Sequence, residues 1–169
     1  MTVSELRTAR LVLRAVTPED LDGFAAMYAD PEVVRYVGDG TPATLEESRE
    51  WLERAVNRND RDGWDMRTVR TLDGAFVGRC GIAVRRIEGV TERELGYILA
   101  RAHWGLGYAT EAATAMRDRA LDVLGFRRLI ALIAHGNDAS VRVAEKLGMG
   151  YERDVVFHER PTMCYALGV

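Results

Sequence analysis

The sequence predicts an α/β (α+β) fold in one domain spanning residues 1–169. Short apolar or alternating runs of strand length recur along the chain, separated by amphipathic stretches of helical period. Their order is strand, two helices, three strands, helix, strand, helix, two strands, which gives about seven strands and about four helices. Residues 93–112 (RELGYILARAHWGLGYATEA) join a buried-strand pattern to a long helical one through a glycine-rich turn. A length of 169 residues suffices for one proper core and is short for two.

Residues 10–16 (RLVLRAV) alternate as a strand, with Leu11, Leu13 and Ala15 on one face. Thr17-Pro18-Glu19-Asp20 supplies an N-cap, a proline suited to the first helical position and two acids for the first turn. Leu21, Phe24, Ala25 and Tyr28 form that helix's apolar stripe, and Asp30-Pro31 stops it. Residues 32–36 read as a short helical turn, and residues 37–44 (VGDGTPAT) as a glycine- and proline-rich loop. Thr44 with Glu47 makes a capping box for a second helix, whose buried side carries Leu45, Trp51, Leu52 and Val56. Gly63 breaks its pattern. Residues 64–71 and 75–84 then read as strands joined at Leu72-Asp73-Gly74, and residues 85–91 as a polar connection.

The central strand occupies residues 93–100. In the helix after Gly105 and Gly107, Ala109, Ala112, Ala113, Met116, Ala120, Val123 and Leu124 recur at three- and four-residue steps, and Gly125 ends it. Residues 128–134 (RLIALIA) are apolar after the first position, as in a central strand covered on both faces. Strand, helix and strand in this order predict a crossover, with ligand at the carboxyl ends of the strands. His135-Gly136-Asn137 leads into a last helix closed by Gly148, and the tail reads as two antiparallel strands around Glu159-Arg160-Pro161.

The glycine turn leaves the first amides of its helix unpaired, and the helix dipole adds positive charge there, so phosphate is the natural guest. A Walker loop needs a Gly-Lys-Ser/Thr ending, and a Rossmann fingerprint needs a third glycine where Thr110 stands; neither is present.

A net charge of −3 argues against a nucleic-acid binder that neutralises phosphates, and no apolar run approaches membrane-spanning length. The segment MTVSELRTAR lacks the apolar core of a signal peptide, so the expected compartment is the cytoplasm. Cys80 and Cys164 sit in strand-like runs, which favours small buried residues over nucleophiles. The scattered histidines and cysteines offer no metal-ligand spacing, so no metal is expected.

Trp104-Gly105-Leu106-Gly107-Tyr108-Ala109 resembles the acetyl-CoA signature Gln/Arg-x-x-Gly-x-Gly/Ala of the GCN5-related N-acetyltransferases (GNAT), with tryptophan at the first position. The longer string E-L-G-Y-I-L…W-G-L-G-Y-A-T-E-A resembles the RimJ/RimL-type branch, which acetylates ribosomal-protein N-termini, and the element order is similar to the GNAT fold end to end. The resemblance implies a mixed, mostly antiparallel twisted sheet with acetyl-CoA as cosubstrate at a splayed parallel pair. It implies diphosphate on the backbone of Gly105, Leu106, Gly107, Tyr108 and Ala109, beside Trp104 and with a hydroxyl from Thr110, and pantetheine pairing near Ile98 and Leu99.

Asn137 and Ser140, followed by Lys146-Leu147-Gly148-Met149, resemble the family's N-x-x-S…K-L-G-F element. That implies Asn137 on the pantetheine and Ser140 as donor to the departing thiolate, while Asn137 also fits as a helix N-cap. Glu94 stands where relatives carry a base; the alternative is a surface glutamate at a strand end. Glu111 reads as a first-turn acid, and His158 as a second proton acceptor or a bystander. The acceptor implied is a primary amine, either a protein N-terminus or a small molecule. A CoA-binding regulator on the same fold is the non-enzymatic alternative. Dimers are common in such families, so a homodimer belongs to the expectation. Acceptor specificity is expected in residues 30–44 and 157–162.

Overall fold

The chain is described over residues 5–62 and 64–168 of a computed structural model. Its strands are β1 (Leu6–Arg7), β2 (Leu11–Arg14), β3 (Arg67–Thr71), β4 (Phe76–Ile87), β5 (Val90–Leu99), β6 (Arg128–Ala134), β7 (Gly150–Phe157) and β8 (Arg160–Gly168). The helices are α1 (Leu21–Ala29), α2 (Pro31–Val34), α3 (Leu45–Asp62), α4 (Tyr108–Asp118) and α5 (Asp138–Lys146). They form one mixed sheet in the order β1-β2-β3-β4-β5-β6-β8-β7, antiparallel except between β5 and β6. The strand beyond the expected seven is β1, whose two residues are too few to show an alternation.

Local sequence chemistry sets most boundaries. Thr44 and Glu47 form the capping box of α3 in both directions: the Glu47 amide donates to Thr44 Oγ1 at 3.2 Å and the Thr44 amide to Glu47 Oε2 at 2.7 Å. Gly63 lies outside the described residues. The supposed polar connection over residues 85–91 is instead the far end of a hairpin, with Ile87 opposite Val90 and both Glu88 and Gly89 at positive φ. Val84 and Val90 are more than half exposed there, while Ile87 is buried against Ile130, Val155 and Cys164. The last hairpin likewise turns at His158 and Glu159, both at positive φ, rather than around Pro161. Two apolar positions expected inside, Leu45 and Val123, are exposed. Leu45 opens α3, while Val123 falls where α4 continues into a π-helical turn, Arg119–Val123, which shifts the helical phase.

Besides a small cluster of Ile87, Ile130, Val155 and Cys164, two cores cover the two faces of the sheet. On one, Leu95 and Leu99 of β5 and Leu129 and Ile133 of β6 pack under Ala112, Ala113 and Met116 of α4 and Ala144 of α5. Small side chains let α4 lie close, and burying one Leu or Met contributes about 1.5–3 kcal/mol. On the other face, Val16, Phe24, Met27, Tyr28, Val33, Leu52 and Ala55 bring α1, α2 and α3 together, with Ile98 packed against them. Both cysteines are buried thiols, as expected; burial pushes Cys80 up to about 12, which keeps it neutral.

The feature that positions the site is a seam. β5 and β6 share one parallel pair, Glu94 with Ile130, and then diverge. Beyond that pair the carboxyl halves of both strands face a gap rather than each other.

Candidate active site

Glycine geometry shapes the turn that closes the gap. Gly105 (φ 72°) and Gly107 (φ 79°) adopt the left-handed conformation that other residues reach only with strain, and no atom lies within 4 Å of a Cβ placed at Gly105. Among the described residues, the amides of 105–110 have no acceptor, and the helical ladder starts only at the Glu111 amide, which donates to Gly107 O at 3.0 Å.

A clamp from the start of the chain fixes this turn. Arg10 Nη1 donates to Leu106 O at 2.9 Å, and its guanidinium lies 4.7 Å from the Tyr108 ring centroid. Glu111 accepts from Thr8 Oγ1 at 2.6 Å, Arg10 N at 2.9 Å and Arg10 Nε at 2.7 Å. Burial alone would raise the Glu111 carboxyl, but the bonds from Thr8 and Arg10 outweigh it and hold it below the usual range. Glu111 is thus the first-turn acid expected, with partners about a hundred residues away that no local pattern reveals.

The gap opens into a cavity of about 1200 Å³, larger than the pockets that hold drug-sized ligands. Glu94, Ile98, Leu99, Trp104, Gly105, Gly107, Tyr108, Ala109, Thr110, Asn137 and Ser140 all line it. Leu106 does not; its side chain is half exposed and its carbonyl serves Arg10. The Ala100 amide is spent on Val77 O of β4, at 2.9 Å. Strand alternation therefore turns the main chain of Ile98 toward β4 and those of Tyr97 and Leu99 toward the gap. The Leu99 carbonyl accepts from Trp104 Nε1 at 2.8 Å, which seats the indole at the strand's end.

Across the gap, Asn137 Oδ1 accepts from the Ser140 amide at 3.3 Å, so Asn137 is the N-cap of α5. The Tyr97 hydroxyl spans from β5 to α5 and donates to Ser140 O at 2.9 Å. Burial pushes the Tyr97 phenol above its ordinary value. Tyr97 was legible only as an apolar strand position, although a buried tyrosine needs a hydrogen-bond partner.

Glu94 sits near the seam, mostly buried, with Arg85 Nε donating to Glu94 Oε2 at 2.6 Å. The two segments expected to meet the acceptor are tied to the cavity rim. Tyr36 OH donates to Gly136 O at 3.0 Å, and Arg160 Nη2 to Asp39 O at 2.8 Å. His135 Nε2 lies 3.0 Å from Asp154 Oδ2 at the end of β6, and His158 also lines the cavity. Among the described residues, no cluster of three or more His, Cys, Asp or Glu could hold a metal, and no helix is long and apolar enough to cross a membrane.

The site is thus a sheet split at one parallel pair, with a helix N-terminus of unpaired amides at the split and a chamber opening beside it. Residues 10–150 match the acetyltransferase (GNAT) domain, and the chain belongs to that family of N-acetyltransferases. It is 38% identical to YkkB of Bacillus subtilis over 170 residues, covering 96% of this chain and 94% of that one. It is 29% identical to the N-acetyltransferase p20 of Bacillus licheniformis, covering 87% and 83%. An acetyltransferase structure from Agrobacterium tumefaciens C58 superposes with a TM-score of 0.83 at 26% identity, covering 100% of this chain and 96% of that one. RimL, a ribosomal L7/L12 α-N-protein acetyltransferase solved with CoA, shares the fold at a TM-score of 0.81, 16% identity and 98% coverage of both chains. The family implies acetyl-CoA as cosubstrate.

Proposed function

We propose that this enzyme transfers the acetyl group of acetyl-CoA directly to the α-amine of a protein or peptide N-terminus. The unpaired amides of residues 105–110, beside a gap between β5 and β6, carry the cosubstrate half of the reading. They fit a diphosphate, with Thr110 adding a hydroxyl and Trp104 walling the turn. The main-chain groups offered to a pantetheine arm are those of Tyr97 and the Leu99 amide, the Leu99 carbonyl being taken by Trp104, with Ile98 contributing its side chain to the wall. Asn137 spends its oxygen on the cap and keeps its amide donor for the arm. Ser140 serves in this reading as donor to the leaving sulfur, which the Tyr97 hydrogen bond to its backbone carbonyl supports by fixing the start of α5.

The acceptor half rests on Glu94. The Glu94 carboxylate is already engaged, accepting from Arg85 Nε at 2.6 Å. It suits an amine that needs little help: an α-amine has a pKa near ~8 and is partly neutral at pH 7, whereas a lysine or polyamine amine near ~10.4 is almost wholly protonated. The similarity of the E-L-G-Y-I-L…W-G-L-G-Y-A-T-E-A string to the RimJ/RimL-type branch points the same way.

The test is an acceptor screen that follows CoA release from acetyl-CoA with N-terminally free peptides, amino acids and spermidine. Peptides should be the best acceptors. Release no faster than hydrolysis with every amine would sink the transferase reading for this chain, and a preference for spermidine would sink the α-amine assignment. For the cosubstrate half, Gly105→Glu places a negative charge at the amides in otherwise open space. It should abolish CoA binding in calorimetry while costing only about 1–2 kcal/mol of backbone strain; unaltered CoA affinity would remove the turn from the cosubstrate site.

A further inference from the structure

On the face of the sheet covered by α1, α2 and α3, the cavity wall holds a cation with no counter-ion. Arg79 of β4 lies opposite Ile98 and lines the cavity. Its guanidinium carbon stands 4.9 Å from the Trp51 ring centroid and 5.7 Å from that of Tyr28. Its Nε is buried without an acceptor, and so is the Tyr28 hydroxyl. No carboxylate or carbonyl among the described residues takes a hydrogen bond from Arg79, whereas Arg85 on the same strand is engaged by Glu94. Stacking on two rings holds a guanidinium in place and leaves its terminal N–H fork free for a planar anion.

The surrounding charge agrees. The acceptor side of the wall carries Arg35, Arg79, Arg85 and Arg160 against Glu32 and Glu94. Arg79 is half-buried, and its buried Nε has no acceptor, so an anion that reached it would supply a missing partner. The anion belongs to the acceptor rather than to the CoA diphosphate. The free amides of 105–110 open on the α4 side, where Tyr108 and Ala109 pack, while Arg79 stands with Tyr28 and Trp51 on the other.

We infer that Arg79, presented by Tyr28 and Trp51, is the anchor for a carboxylate carried by the amine acceptor, so that the preferred acceptor is an amine bearing an anionic group. This rests on the transferase reading above. Glu94 and Ile98, the position opposite Arg79, are four residues apart on β5, or about 13 Å between Cα atoms at the rise of a strand. The amine and its carboxylate are therefore held well apart. That spacing suits a peptide N-terminus with an acidic residue close behind it better than the α-carboxylate of a free amino acid.

The experiment uses matched acceptors that differ only in charge: the peptide amides Ser-Asp-Ala and Ser-Asn-Ala, and phenylalanine against phenylalaninamide. In the wild type the Asp peptide should exceed the Asn peptide in kcat/KM by about tenfold or more, the factor a charge-assisted fork of hydrogen bonds gives. The phenylalanine pair should show a smaller ratio. Arg79→Met keeps the aliphatic stem against the rings and should bring the Asp/Asn ratio near one with CoA affinity unchanged. Arg79→Lys should restore part of it, and the wild-type ratio should fall as salt rises. An Asp/Asn ratio near one in the wild type, or one that survives in Arg79→Met, overturns the anchor. A larger ratio for the phenylalanine pair than for the peptides overturns the peptide assignment. Calorimetric binding of the same pairs reads the anchor independently of turnover, so a protein that binds the Asp peptide selectively but releases no CoA would refute the transfer reading and keep the anchor.

Discussion

Asp20 is fully buried and accepts from more donors than any other carboxylate described, so its replacement gives the most direct test of the energetics. Arg14 reaches both its oxygens at 2.8 Å, Arg70 Nη2 donates to Oδ1 at 2.8 Å, Thr68 Oγ1 to Oδ2 at 2.7 Å and the Thr17 amide to Oδ2 at 3.0 Å. The knot ties β2 and β3 to the turn that starts α1. Burial alone would raise the Asp20 carboxyl; the bonds from Arg14, Arg70, Thr17 and Thr68 more than reverse this and hold it at about 2 against an ordinary 3.8. At about 1.4 kcal/mol per pH unit, that gap is worth about 2.5 kcal/mol of folding stability near neutrality. Because the folded value is the lower one, the contribution is complete above pH ~4 and is lost as pH falls toward 2. Asp20→Asn should cost more than the protonation does, about 3–5 kcal/mol at pH 7. An NH₂ group would then face donors only, and two half-buried arginines would lose their counter-charge. Urea unfolding of both proteins from pH 7 down to pH 2.5 measures it, with the difference shrinking across the acid arm. A loss below about 1 kcal/mol at pH 7, or a difference independent of pH, would refute the reasoning.

Three further outcomes are expected. Glu111→Gln should weaken CoA binding several-fold by releasing Thr8 and Arg10 from the glycine turn, with a melting temperature only slightly lowered; calorimetry of the folded variant decides it. Ser140→Ala should lower kcat with little change in CoA affinity, whereas Asn137→Ala should weaken binding and also remove about 1 kcal/mol of stability with the α5 cap; a Ser140→Ala variant with full kcat, chemistry being rate-limiting, would exclude the donor role. Glu94→Gln should depress kcat/KM most at neutral pH and recover as pH rises through the acceptor's pKa; profiles that run parallel to the wild type would take Glu94 out of the proton path.

What the sequence showed and what it hid divide along physical lines. Residues 128–134, apolar after Arg128, announced a covered central strand because both faces of β6 are packed. Thr44 and Glu47 announced the start of α3 because a capping box is chemistry within four residues. Residues 85–91 hid a hairpin because only Ile87 is buried there while Val84 and Val90 are exposed, so the run carries too little apolar alternation to read as strand. Val123 was misplaced because a π-helical turn changes the period that places side chains. In the site, the glycine turn was legible from its own residues, but the Arg10–Glu111 clamp, the Tyr97–Ser140 bridge and the ties from Tyr36 and Arg160 join positions forty to a hundred and twenty apart. Arg79 was not singled out at all, since a cation's lack of a partner is a property of three dimensions.

With one parallel pair between β5 and β6, the sheet is in effect two ladders, β1–β5 and β6–β8–β7, joined edge to edge at a single point. Elsewhere they are bound by side chains: packing under α4 and α5, the cluster of Ile87 with Ile130, Val155 and Cys164, and the ion pairs Arg128–Glu92 and Arg153–Glu88, which together are softer in shear than a run of backbone hydrogen bonds. In the free protein the two ladders are therefore natural units of partial opening, and the Tyr97 and Leu99 amides along the seam are among those readiest to exchange with solvent. On the proposed placement, a cosubstrate in the seam would touch both units and stitch them together. Its binding energy would then appear as cooperativity of the whole chain, with the ligand as the ninth strand that the polypeptide leaves out.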